Sequence, residues 1–232
     1  MLRVGAYMVG MRRKRKTLIV MAVYLVSFYT VWFLYTVFLA PVLEESHFIV
    51  CIIGSNLCKV LFWTFPAILI LNFVFEHDPI EYLKINNNVF KGLLYGVLLG
   101  ALTVLTIMLR KAADPGDLRV NFLFDINTWI GGVLLIGITE EIVFRGYILQ
   151  KFKEIIGFGR ANIITSVLFV LIHFPKWFME GNLFSLSFMI NSVLFLLTFS
   201  YVQGILIKKT DSIWPCFIFH SANNFAMFAF SV

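Results

Sequence analysis

Residues 17–43 read TLIVMAVYLVSFYTVWFLYTVFLAPVL, twenty-seven positions without one charged side chain, directly after the basic run Arg12-Arg13-Lys14-Arg15-Lys16. A bilayer-spanning helix needs about 20 mostly apolar residues, so this stretch is long enough to cross and its basic flank tends to stay in the cytoplasm. It carries no small-residue cleavage site of the kind a removable signal peptide shows, which predicts an uncleaved anchor. Similar runs recur near 48–75, 89–109, 128–149, 161–179, 183–207 and 213–232. They are continuously apolar, without the alternation of a membrane β-strand. The expectation is an all-α, polytopic membrane helix bundle of about seven transmembrane helices. It divides into a basic cytoplasmic segment (1–16), N-terminal transmembrane helices (17–124) and a C-terminal core (125–232).

Composition agrees. The 232 residues are 60% hydrophobic and 14% charged, and mean hydropathy is +0.88, against about 25% charged in a soluble domain. That excludes a soluble globular domain and a disordered chain, and three cysteines are too few and odd in number for a disulfide scaffold. With the first basic cluster inside, alternation of the spans places thirteen of the nineteen Lys and Arg residues on the cytoplasmic side. The net charge of +6 then belongs to topology and anionic lipid, and calls for no nucleic acid. The N-terminus is expected in the cytoplasm and the C-terminus outside, in the plasma membrane if the source is prokaryotic.

Several features have a packing explanation. Gly92, Gly96 and Gly100 recur every fourth residue, which lets a second helix approach along one face. Cys51, Cys58 and Cys216 lie in apolar runs with no metal-type spacing and are expected to be inert. Lys59, one turn after Asn56, is expected to be structural, its ammonium snorkelling along its aliphatic stem.

An ionisable group near mid-bilayer costs about 3 kcal/mol or more, which marks it as a functional candidate. Apart from Lys59, these are Glu140, Glu141, Arg145, His173 and His220, all in the C-terminal half. Glu141 and Arg145 stand one helical turn apart and can neutralise each other. Glu140 points about 100° away and needs another partner. Two readings stand for it at this point: a carboxylate set up for general acid/base work, or one member of a charge cluster that glues helices together. Phe169 precedes His173 by four residues, and Asn224 follows His220 by four, so each pair shares a helix face. Counted from the cytoplasmic ends at 1.5 Å per residue, Glu140, His173 and His220 lie roughly 14, 18 and 10 Å deep. Three separate helices thus bring polar groups to similar depths.

Glu140-Glu141-x-x-x-Arg145, Phe169-x-x-x-His173 and His220-x-x-x-Asn224, in that order, resemble the CPBP family, the CAAX prenyl endopeptidases and bacteriocin-processing or self-immunity (Abi) proteins. The resemblance covers roughly residues 125–232. It implies an intramembrane endopeptidase that opens toward the cytoplasm and cuts peptides near the membrane surface. By that resemblance Glu140 is the base that activates water, His173 helps to hold the water, His220 and Asn224 stabilise the oxyanion, and Glu141 and Arg145 support the site. A metal-independent glutamate mechanism, without cofactor, is the preferred expectation, since no His-Glu-x-x-His helix is present and a ligating Glu140 would cease to be a free base. The alternative is a zinc ion held by His173, His220 and Glu140. The expected partners are the lipid bilayer and a membrane-associated peptide or protein: a prenylated tail, or a bacteriocin or leader peptide. Competing readings are a non-catalytic immunity or peptide-binding protein, and a small proton-coupled transporter using Glu140, His173 and His220 as a relay. No Gly-x-Ser-Gly or Gly-x-Gly-Asp motif is present, and Asp114 and Asp117 are read in a loop, so rhomboid-like and presenilin-like sites are excluded.

Overall fold

The computed structural model describes residues 2–113 and 120–230; Asp114 and Asp117 lie outside these. Seven long helical elements follow one another: α1 (2–44), α2 (Phe48–Val74), α3 (Val89–Ala112), α4 (128–156), α5 (Phe158–Met179), α6 (Leu186–Thr210) and α7 (Trp214–Phe230). No strand occurs among the described residues. Each apolar run of the sequence has become one helix, because in hydrocarbon a spanning segment must satisfy its own backbone groups.

Five of the seven, namely α1 over Met11–Glu44, α2, α3, α5 and α6, are long and apolar enough to cross a membrane. The other two runs fall short for different reasons. Helix α4 carries Glu140, Glu141 and Arg145 in its interior, and α7 has 17 residues, about 25 Å of helix. The all-α membrane bundle stands, with these two helices set apart by charge and by length.

Helix α4 is the axis of the bundle. Residues 139–151 are buried on every side, and Val143, Phe144, Tyr147, Ile148 and Leu149 have no exposed surface. A helix buried all round must be enclosed by other helices. Helices α1 and α2 cover it with an aromatic layer, in which Trp63 meets Phe28, Trp32 and Phe144 at ring separations of 5.2, 4.6 and 6.4 Å. The outward faces of α1, α2 and α3 carry exposed apolar side chains such as Val26, Leu57, Phe73, Val97 and Leu98.

Two breaks in the backbone position the polar residues. Gly157, at φ 78°, ends α4 and lets α5 start at once; the left-handed region suits glycine. In α5, Pro175 has no N–H to continue the ladder and crowds the preceding turn. The helix therefore breaks between Leu171 and Phe174, and His173 N bonds to Val170 O at 3.0 Å. The Phe169 carbonyl, the usual partner of His173 N, instead takes the His173 side chain, with Nδ1 at 3.1 Å. Helix α1 caps the same region: Tyr29 OH donates to Leu168 O and Trp32 Nε1 to Ile172 O, at 2.5 and 2.7 Å.

The three spaced glycines seat α3 directly on α7. A Cβ at Gly92 would lie 2.7 Å from Ser212 Oγ, one at Gly96 would lie 2.8 Å from Ile218 Cβ and 3.0 Å from the Pro215 backbone, and one at Gly100 would lie 2.9 Å from Ala222 Cβ. At the end of α3 nearest the α6–α7 turn, Lys84 pairs with Asp211 and Lys91 Nζ donates to Lys209 O at 2.9 Å. Gly96→Leu should therefore overpack the α3–α7 seam and lower stability by about 1–3 kcal/mol. Gly159→Ala, where a Cβ meets nothing within 4 Å, should be neutral, with thermal unfolding in detergent micelles as the comparison.

Candidate active site

Helices α4, α6 and α7 meet at one carboxylate. Glu141 and Arg145 are both 0% exposed. Glu141 Oε1 accepts from Arg145 Nη1 at 3.0 Å, from His220 Nδ1 at 2.7 Å and, at the limit of bonding distance, from Gln203 Nε2 at 3.5 Å. The expected one-turn pair of Glu141 and Arg145 is present. Arg145 makes two further contacts: Nη2 donates to Ser200 O on α6 at 3.2 Å, and its guanidinium carbon lies 4.5 Å from the Phe169 ring centre on α5, within cation–π range.

Glu140 points elsewhere, as the helical angle requires. Its Oε2 lies 3.8 Å from His220 Nε2, so His220 is the separate partner that Glu140 needs. This oxygen is buried and has no hydrogen-bond partner in the protein. His220 thus bridges the two adjacent carboxylates, Nδ1 to Glu141 and Nε2 toward Glu140. Because a carboxylate only accepts, Nδ1 carries the proton, and Nε2 of the neutral ring is left with its lone pair.

His173 follows the same rule. With Nδ1–H donated to Phe169 O, its Nε2 also keeps the lone pair. The rings of His173 and His220 both pack against Phe169, at centroid distances of 5.3 and 6.0 Å. Four of the six candidate residues, Glu140, Glu141, Arg145 and His220, form one contact network. His173 joins through Phe169. Asn224 is engaged elsewhere: its Nδ2 donates to Gly132 O of α4 at 3.0 Å, which leaves the second N–H of the amide.

Among the described residues no group of three His, Cys, Asp or Glu side chains forms that would hold a metal ion. Of His173, His220 and Glu140, the last two approach to 3.8 Å, while His173 is held through Nδ1 by the Phe169 carbonyl and keeps Nε2 free. No chemical step below is routed through a metal.

Sequence reading missed one participant. Gln203 is fully buried and its amide spans Glu141 and Cys216 O, the latter at 3.4 Å; the signal was an amide inside the apolar run of α6. Lys59 was expected to snorkel. It does not: Nζ turns inward and donates to Gly131 O at 3.1 Å, next to the carbonyl that takes Asn224. The wide helical turns over Thr128–Leu135 depart from the regular ladder, and two consecutive carbonyls there take side-chain donors from α2 and α7.

With this geometry in view, comparison with known proteins gives one finding. Residues 122–226, a little under half of the chain, match the family described as Type II CAAX prenyl endopeptidase Rce1-like. Over these residues the chain is similar to the Rce1-like family. No curated protein and no solved structure matches. The Rce1-like segment contains Glu140, Glu141, Arg145, Phe169, His173, His220, Asn224 and also Gln203, whereas Lys59 lies outside it. The match supports a CAAX-type intramembrane protease at family level, and with the apolar helices it supports an integral membrane protein.

Removing one partner of a buried pair strands the other charge, at a cost of about 3–5 kcal/mol. Arg145→Met should therefore destabilise the protein on that scale, and Glu141→Leu/Arg145→Met should recover part of the loss. Thermal unfolding of the purified protein in micelles reads both.

Proposed function

We propose that the chain hydrolyses a peptide bond of a membrane-associated peptide or protein, with Glu140 as the base for water. One observation carries this reading: a buried carboxylate oxygen with no partner in the protein, 3.8 Å from an imidazole nitrogen whose orientation is fixed from behind by Glu141. A single water about 2.8 Å from each of these atoms would bridge them. With His220 charged by a proton taken up from solvent, its Nε2–H donates to the water oxygen, and the water's two hydrogens go to Glu140 and to His173 Nε2, a free acceptor.

In the proposed reaction, Glu140 takes a proton from the water as the water oxygen bonds to the scissile carbonyl carbon. The carbonyl π pair moves to its oxygen, forming the oxyanion. The charged form of His220, which donates from Nε2, and the second N–H of Asn224 are the proposed donors to it. When the intermediate collapses, the C–N bond breaks and the proton held by Glu140 passes to the departing nitrogen. The products are a carboxylate and an amine, and the base is restored.

For substrate, the family description favours a prenylated C-terminal tail, with a bacteriocin or leader peptide as the other class. Site access is proposed from the cytoplasmic side. The test is cleavage by the full chain in lipid vesicles, followed by mass spectrometry, with a farnesylated peptide ending in a CAAX-type sequence and an unprenylated leader-type peptide offered in parallel. Glu140→Gln should lose about 10²–10⁴ in rate, the range for a general base, while accumulating normally. His173→Ala should lose less, and a chelator should leave the wild type unchanged. Cleavage at wild-type rate by Glu140→Gln would remove the mechanism.

A further inference from the structure

Two consecutive residues of α4 are gripped from two different helices. At Gly131 the neighbour is α2: Lys59 Nζ donates to Gly131 O at 3.1 Å, and a Cβ on Gly131 would lie 2.6 Å from Asn56 Oδ1 and 3.1 Å from Asn127 Oδ1. At Gly132 the neighbour is α7: Asn224 Nδ2 donates to Gly132 O at 3.0 Å, and a Cβ on Gly132 would lie 3.0 Å from the Phe228 ring. Asn56, one turn before Lys59, also donates to Asn127 Oδ1 at 3.4 Å. Helix α2 thus holds the start of α4 at two successive points.

Both carbonyls lie in the wide turns of Thr128–Leu135, where the regular ladder does not fix the backbone. Each peptide group is a rigid plane, so the Gly131 and Gly132 carbonyls are separated only by the two dihedrals of Gly132, the least restrained residue a chain can contain. The direction of the Gly132 carbonyl therefore depends on what holds the plane before it, and that plane is held by Lys59. The direction matters because the Asn224 amide is also planar: one N–H bonded to Gly132 O decides where the other N–H points. Lys59 itself lies outside the matched segment and near the middle of α2, about 17 Å from the first residue of that helix and about 22 Å from the last. A cationic side chain at such a depth is costly, and its bond to Gly131 O is the contact that accounts for its inward turn.

We infer that Lys59 is a positioning residue of the site: by anchoring Gly131 O it sets the Gly131–Gly132 turn, and through Gly132 O it directs the second N–H of Asn224. This rests on the reading of that N–H as a donor to the oxyanion. Lys59 touches neither water nor substrate, and it acts through a hydrogen bond. Its whole effect on rate must then pass through Asn224, so removing the Asn224 amide should hide it.

The experiment compares Lys59→Met, Asn224→Ala and the double variant in the full chain in vesicles, on whichever of the two peptides the wild type cleaves. Met has the length of lysine without its donor and suits an apolar run. Asn224→Ala should lower kcat about 10²–10³-fold, the range for one oxyanion donor. Lys59→Met should lower it about tenfold to 10²-fold, as a misplacement of about 1 Å does, with KM within about twofold. The double variant should match Asn224→Ala within about twofold, and Lys59→Arg, which keeps a donor, should recover most of the loss. A Lys59→Met as active as the wild type, or losses that multiply in the double variant, overturns the inference. Should Lys59→Met not accumulate, Gly131→Ala replaces it, because the added Cβ drives α2 off the carbonyl while Lys59 stays; the same hidden loss is expected, and full turnover or multiplied losses overturn it. A readout without substrate is the Asn224 side-chain amide pair in NMR spectra of the 15N-asparagine-labelled chain in micelles, assigned by its absence from Asn224→Ala. Lys59→Met should shift that pair and Lys59→Arg should restore it; a pair that Lys59→Met leaves in place overturns the inference. Asn224→Ala at the wild-type rate removes the oxyanion role of Asn224 and this inference with it, whereas a slow Asn224→Ala beside an unaffected Lys59→Met sinks only the role given to Lys59.

Discussion

A single carboxylate oxygen, Glu141 Oε1, holds the C-terminal core in register. It accepts from its own helix through Arg145, from α7 through His220 and, more weakly, from α6 through Gln203. A buried charge with no partner is several kcal/mol uphill, so these helices are stable only where all donors reach that atom. The constraint propagates. Fixing His220 Nδ1 on Glu141 directs Nε2 toward Glu140, and Arg145, stretched between Glu141 and Ser200 O, lies over the Phe169 ring that meets both imidazoles. The second glutamate thus acquires its surroundings from the first.

The backbone takes part wherever its ladder is interrupted. The wide turns of α4 and the break at Pro175 in α5 put carbonyls at Gly131, Gly132, Leu168, Phe169 and Ile172 in contact with side-chain donors: Lys59, Asn224, Tyr29, His173 and Trp32. In hydrocarbon an unpartnered carbonyl costs several kcal/mol, so each irregular turn becomes a strong and directional acceptor. Five elements are tied together this way at the positions that carry polar groups. Wide turns occur away from the site as well, over Tyr35–Leu39 of α1 and Val60–Thr64 and Ile70–Val74 of α2, whereas α3 is regular helix throughout.

How much of this was legible in the sequence follows from the same physics. The helices were, because lipid is a uniform solvent and a long apolar run has one solution in it. Their locations came out within a few residues, and the glycine spacing of α3 announced a close neighbour that proved to be α7. The pairing of Glu141 with Arg145 was legible because both sit on one helix at fixed spacing. What sequence could not give is convergence between helices. The contact of Glu140 with His220, the amide of Gln203 and the inward turn of Lys59 depend on rotation and depth of separate rods, and no local pattern encodes either. Asn224 shows the same limit from the other side: its spacing from His220 was right, yet its amide finds a carbonyl on α4 that is exposed by irregular turns no propensity rule marked.

Exposure falls in a consistent order across the site. Glu141 and Arg145 are sealed, Glu140 and His220 are 4% and 5% exposed, and His173 and Asn224 are half-buried. The fully dry pair is the one whose charges cancel, and the half-buried residues are those with a ring nitrogen or an amide N–H to spare. A site built only to glue helices would have no reason to grade its polar groups in this way, since each would be stabilised by the deepest burial that still satisfied it. Here the carboxylate without a partner occupies the middle of the gradient, between the sealed pair and the two half-buried side chains. On the proposed reading, that placement would let one water be held and deprotonated by Glu140 while the sealed pair stays dry.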